Sequence, residues 1–153
     1  MLDTENNILT RGVTLVFSTL SNFFRSIRSG SRQRFLSILP RHAVCAEIGV
    51  FRGDFSEHIL KITRPKEAHF IDSWWVEYGE NFPDWGDYTN FGTLKTRDAH
   101  YEAKTKIDRY RTNSTIHVER DLDCISKFEN QHFDWVYMDS NHTFEHTLEL
   151  LAI

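Results

Sequence analysis

The sequence predicts an α/β domain with a parallel sheet and flanking helices. Three short apolar runs lead to this prediction, because each ends in a turn or a carboxylate, and the first is followed at once by a segment with helical spacing. Short apolar runs that alternate with helical patterns are typical of parallel strands joined by helices. The chain has 153 residues, which is enough for one such domain.

The first run extends from Ala43 to Ile48 and opens into a turn that contains Gly49 and Gly53. A segment with apolar residues at helical spacing begins near Asp54, so the order is strand, turn, helix. Glycine has no Cβ, so the backbone at these positions can approach a ligand closely. A tight strand–helix turn without a ligand has the same pattern. A dinucleotide fingerprint needs a third glycine, which disfavours an NAD-dependent enzyme.

The second run, Ala68 to Asp72, reads as a buried strand that ends in a carboxylate. A carboxylate only accepts hydrogen bonds, which suits the two donors of a ribose diol, and Rossmann-like folds carry an acidic residue here. The alternative is that Asp72 caps the next segment. Trp74 follows, where its ring could stack on adenine or belong to a hydrophobic cluster that holds the segment down.

The third run begins at Phe133 and ends at Asp139, and His142 comes three residues later. Its nearly continuous apolar character predicts a strand that is buried on both faces. Between the second and third runs, we expect a polar helix over 96–111, a strand over 115–119, and a short helix from Asp121 to Phe128. The expected buried positions of the polar helix are Leu94, Tyr101, Ile107 and Tyr110.

These motifs, taken in order, resemble class I methyltransferases that use S-adenosylmethionine (SAM). Glu47 with Gly49-x-x-x-Gly53 is similar to motif I of that family. The segment D-W-V-Y-M-D-S-N-H is similar to D-x-V-Y-I-D-G-x-H in a branch of small enzymes related to macrocin-type O-methyltransferases. Here Ser140 and Asn141 replace the glycine-containing pair. The resemblance covers residues 43–151.

The resemblance implies a Rossmann-like fold, SAM as cofactor and a small-molecule acceptor, for which we expect a hydroxyl. The residues expected to hold SAM are Glu47, Gly49, Gly53, Asp72, Trp74 and Asp121. Asp121 would contact the adenine amino group, or it caps a helix.

Asp139 and His142 would face the reacting end. His142 is the expected base, because its ordinary pKa of about 6.5 suits proton removal at neutral pH. The alternative is that it hydrogen-bonds the loop backbone or orients Asp139. We expect no metal at this site, because Mg²⁺ prefers oxygen donors. His142 and His146 are four residues apart, but no H-E-x-x-H pattern is present.

The chain stops at Ile153, in the predicted helix after the fourth strand. A full class I methyltransferase continues with a fifth strand and an antiparallel pair, so we expect the sheet to lack these strands. The fourth strand would then be an edge, open to pairing with a second copy of the chain. The alternative function is a non-catalytic remnant that binds SAM weakly or acts as an interaction module.

Residues 1–40 are expected to be a helical lead-in to a SAM-binding domain over 41–153. Its amphipathic face runs from Val13 to Ile27, and a second short helix, 33–39, stops before Pro40. Residues 73–93 are rich in aromatic side chains without a clear period, which predicts a long ordered loop.

The composition indicates which partners to expect. The net charge of −4 argues against a nucleic-acid partner, since phosphate binding needs clustered Lys and Arg. The apolar stretch from Val13 to Phe24 is too short and too polar to span a membrane. The two cysteines, at positions 45 and 124, do not indicate a disulfide framework, so we expect a cytoplasmic protein.

Overall fold

The computed structural model describes residues 32–140 and 143–152. The chain divides into two units, Met1–Ile38 and Leu39–Ile153. In the first unit the described residues, 32–38, form helix α1. The predicted short helix before Pro40 is therefore confirmed, and the amphipathic segment Val13 to Ile27 lies outside the described residues.

The second unit is an α/β domain with four parallel strands in the order β3-β2-β1-β4. The strands are β1 (Val44–Ile48), β2 (Glu67–Asp72), β3 (Asn113–Val118) and β4 (Trp135–Met138). The helices are α2 (Asp54–Thr63), α3 (Trp75–Tyr78), α4 (Thr96–Ile107), α5 (Asp121–Ile125) and α6 (Phe144–Leu151), with a 3₁₀ turn at Gly86–Thr89. The predicted Rossmann-like fold, a parallel sheet with flanking helices, is confirmed.

The two central strands carry the core of this unit. All residues of β1 and β2 are buried except Val44, Glu67 and Asp72 at the strand ends, as expected for strands covered on both faces. On one face, Ala46, Ile48 and Ile71 pack against Cys124 of α5. No described helix is long and apolar enough to cross a membrane.

Helix α4 is shorter than predicted, and its buried face is different. Tyr101, expected in the core, is 71% exposed. Ile107 is buried as predicted, and the other buried positions of α4 are Thr96, Ala99 and Ala103. The prediction for Tyr101 was wrong because small alanine side chains, rather than the large aromatic ring, allow α4 to approach its neighbours closely.

Strand β4 was predicted to be buried on both faces, and this prediction was also wrong. Within the described residues it lies at one edge of the sheet, paired only with β1. Its Val136 is 40% exposed. The expectation that the fourth strand is an edge is confirmed for these residues.

The aromatic segment 73–93 is more regular than its sequence predicts. It contains α3 and the 3₁₀ turn, and Asn81 forms an isolated bridge with Lys95. Phe82 and Thr89 are buried within it. The lack of period in the sequence reflects two short turns of helix rather than one irregular loop.

Candidate functional site

The carboxyl ends of the strands bring the predicted site residues to one edge of the sheet. Gly49 follows β1, Asp72 ends β2, and Asp139 follows β4. The strand order reverses at β1, because β2 lies on one side of it and β4 on the other. Open α/β sheets bind ligands outside the carboxyl ends at such a switch point.

Gly49 packs closely against the backbone that follows β4. Its φ is +91°, and an added Cβ would lie 2.4 Å from the carbonyl oxygen of Asp139. Its N–H donates to the carbonyl of Ile71 at 2.9 Å. Packing against the end of β4 therefore requires glycine here, whether or not a ligand is bound.

Gly53 has the same relation to helix α4. Its φ is +74°, and an added Cβ would lie 2.7 Å from the Cα of Ala103. The close approach that the glycines were predicted to allow thus occurs, but with the chain's own backbone. Contact of Gly49 and Gly53 with a cofactor stays a prediction.

Helix α4 also holds the outer side of the glycine turn through ion pairs. The Arg52 guanidinium contacts the Glu102 carboxylate at 2.8 and 3.0 Å. Lys106 donates to the backbone carbonyl of Arg52 at 2.8 Å and to the Asp54 carboxylate at 2.5 Å. These contacts fix the direction in which the turn leads from β1 into α2.

Asp72 connects this turn to the segment after β2. One carboxylate oxygen accepts the N–H of Phe51 at 2.7 Å, and the other accepts the N–H of Trp74 at 3.0 Å. The predicted alternative, capping of the following segment, is therefore observed. The backbone of Val50 also hydrogen-bonds this carboxylate. A carboxylate has about four acceptor sites, so capacity remains for a ribose hydroxyl.

Burial raises the pKa of the Asp72 carboxyl, although the backbone hydrogen bonds from Trp74, Phe51 and Val50 oppose this effect. Burial disfavours the charged form of this carboxyl group in the free protein, so a ligand that adds hydrogen-bond donors would stabilise the charged form. Perturbed carboxyl groups of this kind cluster at functional sites.

Trp74 is fully buried in this arrangement. Its indole N–H donates to the carbonyl of Phe51 at 2.9 Å, and its ring meets the edge of His100 at 4.8 Å between centroids. These contacts match the alternative role, a cluster that holds the segment in place. Stacking of this ring on adenine stays a prediction, and it requires a face of the indole to be uncovered.

The aromatic segment contacts the glycine turn from the other side. The ring of Phe51 stacks on Tyr88 at 4.3 Å and meets Phe82 edge-on at 5.0 Å. Phe51 also has a φ of +53°, which is uncommon for a bulky residue. The turn is therefore held in its conformation by aromatic contacts as well as by α4.

Tyr78 belongs to this site and was not selected from the sequence. Burial and the nearby charges of Glu77, Asp72 and Asp121 raise the pKa of its hydroxyl to about 12. The hydroxyl therefore stays protonated at neutral pH and lies in the negative field of these carboxylates. Its place six residues after Asp72, in the aromatic segment, was the available signal.

Asp121 joins the ends of β3 and β4 to helix α6. Its Oδ2 accepts the Ser140 hydroxyl at 3.0 Å and lies 2.7 Å from Nε2 of His146. Its Oδ1 accepts the N–H of Leu122 at 2.9 Å. The sequence did not predict this network, because its members come from three separate segments. The predicted adenine contact of Asp121 stays a prediction.

The other predicted residues are placed as follows. Glu47 is buried and accepts the Ser56 hydroxyl at 2.5 Å, which ties β1 to α2. The N–H of Asp139 donates to the carbonyl of Ile48 at 2.8 Å. His142 lies outside the described residues, so its predicted role as a base stays a prediction.

A parallel sheet of order 3-2-1-4, with a glycine turn after β1 and a carboxylate at the end of β2, defines the class of nucleotide-cofactor α/β domains. Residues 46–153 match the family model of a methyltransferase domain. Since this match covers more than half of the chain, the protein belongs to that methyltransferase domain family. No curated protein matches the chain.

Proposed function

We propose that this domain binds SAM at the carboxyl edge of its sheet and transfers the methyl group to a small-molecule hydroxyl. The observation that carries the proposal is the position of Asp72, held beside the glycine turn by two backbone N–H groups. Membership of a methyltransferase domain family supports SAM, because it is the usual methyl donor of such domains.

In this proposal the Asp72 carboxylate accepts hydrogen bonds from the ribose diol, and the turn between Gly49 and Gly53 lies against the methionine part. Trp74 and Asp121 are the proposed adenine contacts, and Glu47 supports the turn through Ser56. To contact adenine, Trp74 and Asp121 would have to replace contacts that they make in the free protein with contacts to the cofactor.

The charge around the site favours a cationic cofactor. Asp72, Glu77 and Asp121 all raise the pKa of the Tyr78 hydroxyl, so their negative fields overlap there. The SAM sulfonium carries a positive charge that is lost when the methyl group leaves. A negative field therefore favours the methyl donor over its demethylated product.

The reaction requires a base near the acceptor. In an in-line displacement, the acceptor oxygen bonds to the methyl carbon as the carbon–sulfur bond breaks, and the hydroxyl proton passes to the base. We propose His142 for this role. His146 is a second candidate, because the Asp121 carboxylate lies 2.7 Å from its Nε2 and would orient the ring.

Calorimetric titration with SAM, and separately with the demethylated product, tests the cofactor site. Asp72→Asn should weaken SAM binding about 10- to 100-fold, the loss of one or two hydrogen bonds to a charged group. Asp98→Asn, an exposed carboxylate in α4, is the matched control and should bind like the wild type. Equal affinity of both variants would contradict the ribose assignment.

The same titration separates the proposal from the alternative. A folded wild-type chain that binds neither compound would support the remnant that lacks catalysis. If SAM binds, an acceptor screen that measures the demethylated product follows. His142→Gln and His146→Gln should both retain SAM binding, and the variant that loses turnover identifies the base. Pairing of β4 with a second copy stays a prediction, which sedimentation would test.

A further inference from the structure

Histidines and acidic residues gather on the sheet face that carries α5, away from the proposed SAM site. Glu67 and His69 are two residues apart at the start of β2, so their side chains lie on the same face of the sheet. His132 precedes β4. His69 is buried, and its ring lies edge-on to Phe128 at 4.9 Å and Phe133 at 5.5 Å. None of these side chains has a role in the proposed methyl transfer.

Three of these side chains can converge on one ion. One ligand atom each from Glu67, His69 and His132 lies within 4.8 Å of the other two, and Glu67 Oε1 is 2.8 Å from His69 Nε2. Zinc bonds of about 2.0–2.2 Å separate neighbouring tetrahedral ligand atoms by about 3.4 Å. The exposed His132 side chain can rotate to close the remaining gap.

We propose that Glu67, His69 and His132 bind Zn²⁺, with water as the fourth ligand. Two imidazoles and one carboxylate are a common three-ligand set for zinc with an open position. The buried His69 ring and its phenylalanine neighbours form an apolar wall on one side. The exposed His132 leaves the other side open, so the ion and its water can enter.

His117 on β3 supports this site from behind. Its Nε2 lies 2.9 Å from Nδ1 of His69. Without metal, the Glu67 carboxylate can only accept, so His69 Nε2 carries a proton, and in the neutral ring Nδ1 then accepts from His117. When zinc binds Nε2, neutral His69 carries its proton on Nδ1 and donates it to His117, which must then be the tautomer with its own proton on Nδ1 and a free acceptor at Nε2. A ligating histidine held in this way by its other ring nitrogen is typical of zinc sites.

A second group, His117, Glu119 and Cys124, also brings three ligand atoms within 4.8 Å. It fits zinc less well, because Glu119 is already paired with the Lys127 ammonium group. Burial also raises the pKa of the Cys124 thiol to about 11, so the thiolate that zinc requires is disfavoured. In the Glu67 group, zinc has to replace the Glu67–His69 contact, but no lysine is displaced and no thiol has to be deprotonated.

The test is zinc titration of the untagged full chain in competition with a chromogenic chelator. We expect one zinc per chain, with affinity lowered more than about 100-fold in His132→Gln, beyond the range of outer-shell changes. His58→Gln in α2 is the matched control and should bind like the wild type. His117→Phe should weaken binding about 10- to 100-fold, and His117→Gln, which keeps an acceptor, should restore most of it.

Cobalt substitution identifies the ligand set independently of affinity. Co²⁺ bound by two imidazoles and a carboxylate should give visible d–d bands without a thiolate charge-transfer band. A thiolate charge-transfer band would show that Cys124 rather than the Glu67 group binds the ion, and it would overturn the proposal. Absence of stoichiometric zinc binding by the folded chain, or equal binding by His132→Gln and His58→Gln, would overturn it as well. None of these outcomes depends on SAM binding or methyl transfer.

Discussion

The two ends of strand β2 differ in how they gather polar groups. At the carboxyl end, Asp72 is held by backbone N–H groups from Phe51 and Trp74. At the amino end, Glu67 and His69 contact side chains, and the nearest partner from another strand is His117. The contacts at the carboxyl end follow from loop geometry, whereas those at the amino end depend on side chains that come together only in the folded domain.

The largest effect is expected from a substitution that disrupts the packing at the carboxyl ends of β1 and β4. Gly49→Ala places a Cβ against the Asp139 carbonyl at a positive φ, so steric overlap and backbone strain add. We expect a loss of about 3–5 kcal/mol in the free energy of unfolding. Gly86→Ala is the matched control, since Gly86 has a φ of +69° but no atom within 4 Å of an added Cβ.

The control should lose only the strain contribution, about 1–2 kcal/mol. Urea unfolding of both variants measures the difference. Similar losses for Gly49→Ala and Gly86→Ala would show that the contact between β1 and β4 is less tight than the structure indicates. The result also decides how binding data are interpreted, because a variant at Gly49 loses cofactor binding whenever it loses the fold.

The same contrast explains what could be predicted from the sequence. Asp72 and Gly49 were found because parallel strands bring their carboxyl ends to one edge, so spacing along the chain predicts proximity. Strands β1, β2 and β4 were predicted from short apolar runs, and helix α2 from apolar residues at helical spacing. The partly exposed β4 was mistaken for a buried strand, because its apolar run does not reveal which neighbours it lacks.

Contacts between side chains from distant segments were missed. Asp121 with His146, and His69 with His117, are joined by no spacing rule, because their strands and helices pack only in the folded domain. Tyr101 shows the opposite error, since a large aromatic residue was expected in the core, whereas it is exposed and the small Ala99 and Ala103 are buried. Small buried residues carry little periodic signal.

The next prediction sharpens the comparison by treating the two ends of β2 as independent sites. Zinc at 100 times its dissociation constant should stabilise the wild-type chain by about 2.7 kcal/mol, because the unfolded chain does not hold the three ligands together. The same zinc should leave SAM affinity unchanged. Thermal unfolding with and without zinc measures the first effect, and calorimetry with SAM measures the second.

His132→Gln should remove the stabilisation by zinc, while Asp72→Asn should keep it. A zinc effect on SAM affinity of tenfold or more would contradict the independence of the two ends. The two sites at the ends of β2 would then be coupled by a free energy of about 1.4 kcal/mol.

A smaller effect is expected when pH is changed at the carboxyl edge. The pKa of Asp72 is raised above the ordinary 3.8 by burial, and a ribose diol would donate to the ionised form. Protons therefore compete with SAM, and its dissociation constant should rise by up to about tenfold per pH unit as the pH falls below that pKa. Calorimetry at decreasing pH measures this slope.

Asp72→Asn should remove the pH dependence that Asp72 causes, while Asp98→Asn should keep it. The effect of pH on folding is opposite to its effect on SAM binding. A carboxyl whose folded pKa is raised stabilises the fold fully below its unfolded pKa and loses that contribution as the pH rises through the folded pKa. SAM affinity that is equally flat in the wild type and in Asp72→Asn would contradict the diol contact.

The smallest effect tests whether the aromatic segment supports the glycine turn. Tyr88 is 56% exposed, yet its ring stacks on Phe51 at 4.3 Å with planes only 15° apart. Tyr88→Ala should lower the free energy of unfolding by about 0.5–1.5 kcal/mol, the range for aromatic pairs. Tyr101→Ala, an exposed tyrosine on α4, should change it by less than about 0.5 kcal/mol.

SAM affinity separates support of the turn from general stability. Because Phe51 donates its N–H to Asp72, loosening its ring should disturb the carboxylate that is proposed to hold the ribose. Tyr88→Ala should therefore weaken SAM binding more than Tyr101→Ala does. Equal SAM binding by the two variants, together with a measurable loss of stability in Tyr88→Ala, would limit the aromatic segment to a packing role and leave Asp72 fixed by its backbone contacts alone.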